Sequence, residues 1–417
     1  MLTVFWVETI FLIFFAFSFT VQWVLSWRQS SAVAAHRHQV PQDFATTISL
    51  EEHQKAADYT LAKERFSRYS MIFQAAFLLW FTLGGGLAFL AEITHGISGH
   101  PLMRGILLIV LLILVQWFIG LPFALYKTFR LEERFGFNRT TIKTFIADQI
   151  KSGVLMAVLG IPLISLVLYL MEAMGKNWWL YVWLVWVAFS LTMMVVFPRW
   201  IAPLFNQFQP LEDEVLQNKI NNLLQKTGFE SKGVFVMDGS KRSGHGNAYF
   251  TGLGKQKRIV FFDTLLKTLN HEETEAVLAH ELGHFKHKHI LRQMIFSFSL
   301  GLILLMILGW LMPQRAFYVG LGALYASPAM ALILFFMVLP LFLLVFAPLS
   351  SMLSRRHEYQ ADAFAAQNTH PEHLISALTK LYRDNAGTLV TDKWYSYFYD
   401  SHPDANARVR ALRKNMS

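Results

Sequence analysis

The chain has 417 residues, of which 54% are hydrophobic and only 16% charged, against about 25% charged in a typical soluble domain. This balance excludes a disordered chain and argues against a purely soluble protein, while the absence of cysteine excludes a disulfide scaffold. The net charge of +9 fits either nucleic-acid binding or a basic membrane face, so the distribution of Lys and Arg must decide between them.

Seven apolar runs have about the length that crosses a bilayer as a helix, roughly 20 residues. They cover residues 4–26, 71–91, 102–126, 153–171, 178–198, 293–312 and 328–350. Buried helices of a soluble protein are the alternative, but such helices are rarely so long and so uniformly apolar. The sequence therefore predicts a mainly α protein with seven transmembrane spans. The first run has no basic segment before it and no cleavage site after it, so we expect it to be a retained anchor.

The basic residues predict the orientation of these spans. Of the 37 Lys and Arg residues, 34 lie in the segments 27–70, 127–152, 199–292 and 351–417. By the positive-inside rule these segments are cytoplasmic, the N-terminus is outside and the C-terminus is inside. Topology thus accounts for the basic surplus, and we expect the partner to be a lipid bilayer and not a nucleic acid.

We divide the chain into four parts: spans one to five in 1–198, a polar segment 199–292, spans six and seven in 293–350, and a polar tail 351–417. The first polar segment opens with a turn-rich stretch at 206–213 and a predicted helix at 214–227. Strands are predicted at 233–238, 247–253 and 258–263, with a hairpin connection through Gly252, Gly254 and Lys255. Asn270, followed three residues later by Glu273, predicts the start of a helix that can continue into span six.

That helix carries His280-Glu281-Leu282-Gly283-His284, the HExxH pattern. Residues four apart lie on one helix face, so the two imidazoles can bind one zinc ion while Glu281 reaches the attacking water. The alternative is an amphipathic helix with solvated histidines, which the additional His287 and His289 would suit.

A catalytic zinc site uses three protein ligands and an open position. Glu358, just beyond span seven, is the best third candidate. Asp362 lies four residues further along the same predicted helix, so one carboxylate can bind the metal while the other orients a ligand imidazole. His357 points aside if Glu358 points inward. An ordinary pair of helix-surface carboxylates is the alternative.

Several motifs together make the sequence resemble the integral-membrane zinc metalloproteases of the CAAX prenyl protease 1 family. They include HELGH at 280–284, HEYQAD at 357–362, ERFGFN at 133–138, PLFN at 203–206, NAYF at 247–250 and SHP at 401–403. The resemblance implies one zinc ion on His280, His284 and Glu358, with Glu281 as the catalytic residue and Asp362 as a proton donor. It also implies a helical barrel around a water-filled chamber, capped by a small α+β, gluzincin-like module.

Three further roles are predicted for residues around the metal. The family places a histidine near the metal, which makes His402 a candidate oxyanion donor, the alternative being a surface histidine before proline. Asn247 and Ala248 begin a predicted edge strand that could pair with extended substrate, although a purely structural strand is the alternative. Arg408 and Arg410 could bind a substrate carboxylate or simply contribute to the positive-inside bias.

The function predicted is membrane-embedded zinc endopeptidase activity on prenylated CAAX-type or other membrane-associated peptides. The short, cysteine-free chain suggests a bacterial inner-membrane protein, and many bacteria do not prenylate proteins. A quality-control metalloprotease of the heat-shock type is the alternative enzyme, and a transporter or receptor is the non-enzyme alternative. A site-two type intramembrane protease is disfavoured because basic residues directly follow HELGH.

Overall fold

The computed structural model describes residues 2–251 and 258–414, which are mainly helical. The helices before the sheet are α1 Val4–Ala35, α2 Leu50–Phe81, α3 Gly86–Ile97, α4 Pro101–Tyr126, α5 Ile142–Leu155, α6 Ile161–Ala173, α7 Trp178–Val196, α8 Ala202–Phe205 and α9 Glu214–Thr227. Those after it are α10 Asp263–Thr268, α11 His271–Lys286, α12 His289–Leu311, α13 Arg315–Gly320, α14 Pro328–Leu343, α15 Ala347–Asn368, α16 Pro371–Asp384, α17 Lys393–Tyr399 and α18 Ala405–Lys414.

The prediction of seven spans is confirmed. Six helical stretches in the described residues are long and apolar enough to cross a membrane, and the bent pair α2 and α3 makes a seventh. Helices α5 and α6 form one continuous stretch through a π-helical turn, and α14 continues through a 3₁₀ turn into α15. The protein is an integral, multi-pass membrane protein.

The second predicted span, 71–91, is not one straight helix. Helix α2 ends at Phe81, and α3 leaves it at a 56° bend. Three consecutive glycines, Gly84 to Gly86, lie at the break, and Gly85 adopts a left-handed backbone with φ of 83°, which favours glycine. The apolar composition hid this break because hydropathy does not respond to backbone conformation.

The spans enclose a chamber. In five of the six continuous stretches only 6–11% of the apolar window is buried within the protein, against 44% in the stretch that begins at Pro328. Helices of a solid bundle would bury a far wider stripe. A cavity of about 780 Å³ lies between α1, α2, α4 and α14, and polar side chains such as Gln22, Lys63, Gln74 and Gln116 line it.

A small four-stranded sheet lies in the polar module. Its strands are β1 Phe208–Pro210, β2 Val234–Met237, β3 Ala248–Thr251 and β4 Arg258–Phe262, in the order β1-β2-β4-β3. The β2 and β4 strands pair in parallel, and the other two pairings are antiparallel. Strand β1 falls in the predicted turn-rich stretch, since three residues ending in proline carry no alternation signal. The predicted hairpin connection at Gly252 to Lys255 lies outside the described residues.

The polar segments share one hydrophobic core. It draws on Phe44 and Ile48 from the first loop, on residues 211–282, and on the tail up to Leu412. The loop after α4 joins this module to the spans: Gly244 N–H donates to Phe137 O at 2.9 Å, and Arg242 forms a two-pronged ion pair with Asp148 of α5 at 2.7 and 2.9 Å.

Candidate metal centre

Helix α11 begins as the sequence predicts. The Asn270 side chain accepts a hydrogen bond from the Glu273 N–H at 2.8 Å, and the Glu273 carboxylate accepts from the Asn270 N–H at 2.9 Å. Glu273 also accepts from Ser376 and Lys380, at 2.6 and 2.8 Å, which ties the start of α11 to α16. The capping box therefore fixes the helix that carries HELGH.

This helix does not continue into span six, although the sequence allowed it to. Helix α11 ends at Lys286, and Lys288 adopts a left-handed backbone with φ of 55° before α12 begins at His289. Lysine rarely adopts this conformation, so the residue type gave no signal of the break. The turn brings His289 back beside His284.

Gly283 allows α11 to approach α15 closely. A Cβ atom at this position would lie 2.8 Å from Ala361 Cα and 3.0 Å from Ala361 O, both of which are backbone atoms. Only a glycine facing a small residue permits such an approach. The glycine within HELGH thereby brings the two imidazoles to the carboxylates of α15.

Three ligand-type atoms converge between these helices. His280 Nε2 lies 3.3 Å from His284 Nε2 and 3.5 Å from Glu358 Oε2, and His284 Nε2 lies 3.3 Å from Glu358 Oε1. A tetrahedral ion with bonds of about 2.0–2.1 Å separates its ligands by about 3.3 Å. The Glu358 side chain is buried, and its Oε2 atom has no hydrogen-bond partner among the described residues. The arrangement fits a metal ion.

Asp362 lies behind His280, on the side away from Glu358. The His280 Nδ1–H donates to Asp362 Oδ1 at 2.8 Å, and Arg408 donates to both Asp362 oxygens at 2.9 and 2.6 Å. Burial disfavours the imidazolium, but the hydrogen bonds to Asp362 and Glu358 outweigh it and raise the pKa of His280 to about 9. A buried carboxylate paired with arginine holds no proton to donate, so this geometry favours an orienting role over the proton-donor role that the resemblance implies.

The same contacts bear on the two arginines of the tail. Arg408 is buried and engaged with Asp362, which leaves it no exposed guanidinium for a substrate carboxylate. Arg410 is exposed and pairs with Asp43 at 3.0 Å. The role of Arg408 beneath the site was not predicted from the sequence, because nothing in the tail relates it to a residue 46 positions earlier.

His289 orients the second imidazole and was also missed. Its Nε2–H donates to Gln360 Oε1 at 2.9 Å, so its Nδ1 is an acceptor and takes the Nδ1–H of His284 at 3.1 Å. This leaves the lone pair of His284 on Nε2, facing Glu358. His357 stacks on His289 at 4.0 Å between ring centroids and is directed aside, as the sequence predicts.

Glu281 occupies the helix position next to His280. Burial raises the pKa of its carboxyl group, while the neighbouring His280 and His284 oppose the shift. A carboxylate with a raised pKa is suited to accept and release a proton near neutral pH.

His402 lies at the open side of the cluster. Its Nε2 is 3.5 Å from Glu358 Oε1, and its Nδ1 is 2.9 Å from Ser401 Oγ. The side chain is 58% exposed, so its ring is accessible to a substrate entering beside Glu358.

Strand β3 forms one edge of the described sheet, beside the metal helix. Phe250 of β3 packs edge-on against Phe285 of α11 at 4.9 Å. Phe262 N–H donates to Asn247 O at 3.0 Å, so Asn247 pairs inward with the strand β4. Antiparallel pairing alternates, and the backbone groups of Ala248 and Phe250 therefore face away from β4. The Ala248 N–H is taken by Asn247 Oδ1 at 2.8 Å.

These features define a class of protein: a membrane-spanning metallopeptidase with an HExxH helix. Two family models match adjoining parts of the chain, namely the CAAX prenyl protease N-terminal domain with five membrane helices, at residues 29–207, and peptidase family M48, at residues 210–416.

Individual relatives are similar over nearly the whole chain. The chain is 31% identical to human CAAX prenyl protease 1 homolog over 95% of its length and 94% of the relative's. It is 36% identical to the Arabidopsis thaliana homolog over 89% and 90%. The crystal structure of S. mikatae Ste24p matches with a TM-score of 0.90 at 32% identity, covering 97% of this chain and 99% of that one.

The chain belongs to the CAAX prenyl protease 1 group of peptidase family M48. The predicted fold is confirmed, and the protein is a metalloendopeptidase that acts on peptides, so the transporter and receptor alternatives are wrong.

Proposed function

We propose that this protein is a zinc endopeptidase that cleaves prenylated CAAX-type peptides near their C-terminus. The observation that carries the proposal is the convergence of His280 Nε2, His284 Nε2 and Glu358 at 3.3–3.5 Å, beside Glu281 and an edge strand. Histidine and carboxylate ligands at tetrahedral separations suit zinc. His280, His284 and Glu358 would hold one ion. When bound, zinc supplies a Lewis acid that polarises the scissile carbonyl and acidifies the attacking water.

The remaining steps belong to side chains of this protein. Glu281 accepts the proton of the attacking water and passes it to the leaving amine. His402, exposed beside Glu358, donates to the oxyanion of the tetrahedral intermediate. Asp362 positions His280 and carries no proton of the reaction.

Substrate backbone binds along the free edge of β3. The groups available there are the Ala248 carbonyl and the N–H and carbonyl of Phe250, because the Ala248 N–H is occupied by Asn247. An extended peptide that pairs with these groups runs alongside α11, which carries Glu281. Asn247 thus shapes the edge, and Ala248 contacts substrate.

The prenyl group is proposed from two considerations. Relatives covering most of this chain are named CAAX prenyl proteases, and a chamber of about 780 Å³ lies between the spans. Aromatic side chains such as Phe15, Phe19 and Phe77 line that chamber together with polar groups. An isoprenoid chain can therefore contact apolar side chains of the chamber, while the peptide remains hydrated.

The proposed setting is a bacterial inner membrane, with the N-terminus outside and the catalytic module in the cytoplasm. The 34 basic residues on one side of the spans support this orientation. Segments 199–292 and 351–417 form one catalytic module, supported by their common hydrophobic core, and spans one to five and six to seven carry it. We assign no nucleic-acid partner.

A pair of matched substrates tests the proposal. Purified, zinc-loaded protein is incubated with farnesylated and unfarnesylated forms of one CAAX peptide, and both products are identified by mass spectrometry. We expect release of the three C-terminal residues from the farnesylated form, and slower cleavage of the other. Cleavage confined to an unfolded membrane protein, with both peptides intact, would instead support the quality-control alternative.

A further inference from the structure

A second cavity lies outside the metal centre, between α2 and the C-terminal end of α4. Its volume is about 400 Å³. Three arginines and a group of aromatic residues line it: Arg65, Arg130, Arg134, Phe66, Tyr69 and Tyr126. Part of its wall is the π-helical turn Lys127–Glu132, a rare conformation that occurs often at functional sites. We refer to this cavity as the arginine pocket.

The three arginines have no carboxylate within ion-pair distance in the described part of the chain. The acids on the same helices are engaged elsewhere. Asp58 pairs with Arg37 at 2.8 Å, Glu132 accepts the Tyr59 hydroxyl at 2.9 Å, and Glu133 accepts from Asn138 at 2.8 Å. Arg37 and, at longer range, Arg134 lower the pKa of Asp58, so Arg134 lies near a carboxylate without pairing with it. The described residues that line the cavity include three arginines and no acidic side chain, which favours an external anion.

The arginine pocket opens on the outside of the barrel. On α2 the chamber is lined by Lys63 and Ser67, whereas Arg65 and Tyr69 follow each of these by two residues, about 200° around the helix. Phe66, Phe123 and Leu131 line both cavities and therefore form the wall between them.

The pocket also lies where the apolar helix α4 ends. Arg130 and Arg134 directly follow the apolar helix α4, on the side of the membrane that carries the catalytic module. Tyr69 and Tyr126, at the pocket, are 64% and 54% exposed. Tyrosines at a span end beside arginines occupy the headgroup region of a bilayer.

We propose that the arginine pocket binds the phosphate of an anionic phospholipid of the leaflet on the module's side. The guanidinium groups of Arg65, Arg130 and Arg134 match phosphate oxygens as planar donors, and the exposed tyrosines contact the glycerol and the start of the acyl chains. Phospholipid supplies both the negative charge and the apolar part at this depth, whereas a soluble anion supplies only the charge. The bound lipid bridges α2 and the π-helical turn, and so supports the aromatic wall of the chamber.

Native mass spectrometry of delipidated protein in detergent tests this site. The wild type is titrated with phosphatidylglycerol, with phosphatidylcholine, and with phosphatidylglycerol in the presence of inorganic phosphate. The test variant carries Arg65→Gln, Arg130→Gln and Arg134→Gln. The control carries Arg410→Gln and Arg413→Gln, two exposed arginines of the tail. Size-exclusion profile and metal content report whether each variant folds.

We expect the wild type and the control to prefer phosphatidylglycerol at least about tenfold, and the triple variant to lose the preference, since each arginine at the surface contributes severalfold. Equal binding of both lipids by the wild type, or a preference retained by the folded triple variant, would overturn the proposal. Displacement of the lipid by millimolar phosphate would assign the pocket to a soluble anion instead. If the triple variant fails to fold, the single Arg65→Gln variant, on an exposed face of α2, serves in its place.

Discussion

At the scale of single residues, the metal centre depends on the tautomers of two imidazoles. His280 donates from Nδ1 to Asp362, and His284 donates from Nδ1 to His289, so each ring in its neutral form presents an Nε2 lone pair toward Glu358. The partner of His280 is Asp362, a carboxylate that is ion-paired with Arg408. The partner of His284 is His289, a neutral imidazole that in turn donates to Gln360. The two imidazoles are therefore oriented by different chemistry, which can be tested separately.

The His289→Phe variant tests the hydrogen bonds through His289 that orient His284. It retains the aromatic bulk but leaves the His284 Nδ1–H without its acceptor, so we expect zinc affinity to fall roughly 10- to 100-fold. Affinity is measured by chelator competition, and the visible spectrum of the Co²⁺ form reports ligand geometry. His289→Gln, which retains an acceptor, should recover part of the loss. Matched loss in the neighbouring His287→Phe variant would contradict the assignment.

The raised pKa of His280 predicts how zinc binding depends on pH. Because that pKa is about 9, against an ordinary 6.5, the metal-free site is protonated at neutral pH and zinc must displace the proton. Zinc affinity should therefore keep rising with pH up to about 9, and Asp362→Asn should lower the pH at which it levels off. Zinc affinity is titrated across this pH range. If the affinity of the wild type already levels off near the ordinary histidine pKa, the raised pKa of His280 is contradicted.

At the scale of elements, the site is a contact between two helices that are far apart in sequence. Motif spacing predicted that His280 and His284 share a face of α11, and a four-residue spacing predicted that Glu358 and Asp362 share a face of α15. These inferences succeed because helical periodicity is local. The break at Gly85, the short β1 strand and the turn at Lys288 were not predictable, since they depend on backbone conformation and on pairing with remote segments.

Gly283→Ala tests the helix contact. The added methyl group meets the backbone of Ala361 at 2.8 Å, which cannot move without displacing α15, so we expect a destabilisation of about 1–3 kcal/mol and weaker zinc binding. Thermal unfolding and zinc content are the measurements. Gly153→Ala is the matched control, because a Cβ there meets nothing within 4 Å. Equal stability and zinc content in the two variants would show that the close approach is dispensable.

At the scale of the whole molecule, a hollow barrel and a polar module meet at contacts between segments remote in sequence, such as Arg242 with Asp148 and Arg28 with Asp392. Composition predicted the spans but not the joint between barrel and module, which includes the ion pair of Arg242 with Asp148. These two residues lie 94 positions apart, in segments with no shared pattern. The roles of His289 and Arg408 were not predicted because each depends on a partner remote in sequence, Gln360 for His289 and Asp362 for Arg408. The chamber itself was implied by family resemblance and not by hydropathy.

A charge exchange tests the joint between barrel and module. Arg242→Ala removes the two charged hydrogen bonds to Asp148, and we expect a loss of about 2 kcal/mol in the free energy of unfolding. The double variant Arg242→Asp with Asp148→Arg should recover part of that loss, measured by thermal unfolding in one detergent. If the exchange is as damaging as the sum of the single changes, the pair does not hold the joint.

The most direct test of the central claim compares wild type with Glu281→Gln. The substitution retains the size of the side chain and all three proposed ligands but removes the general base. Zinc content is measured together with the mass of the products from a farnesylated CAAX peptide. We predict one zinc ion per chain in both proteins and a loss of turnover of about 10²- to 10⁴-fold in the variant. Full peptidase activity in zinc-loaded Glu281→Gln protein would contradict the account.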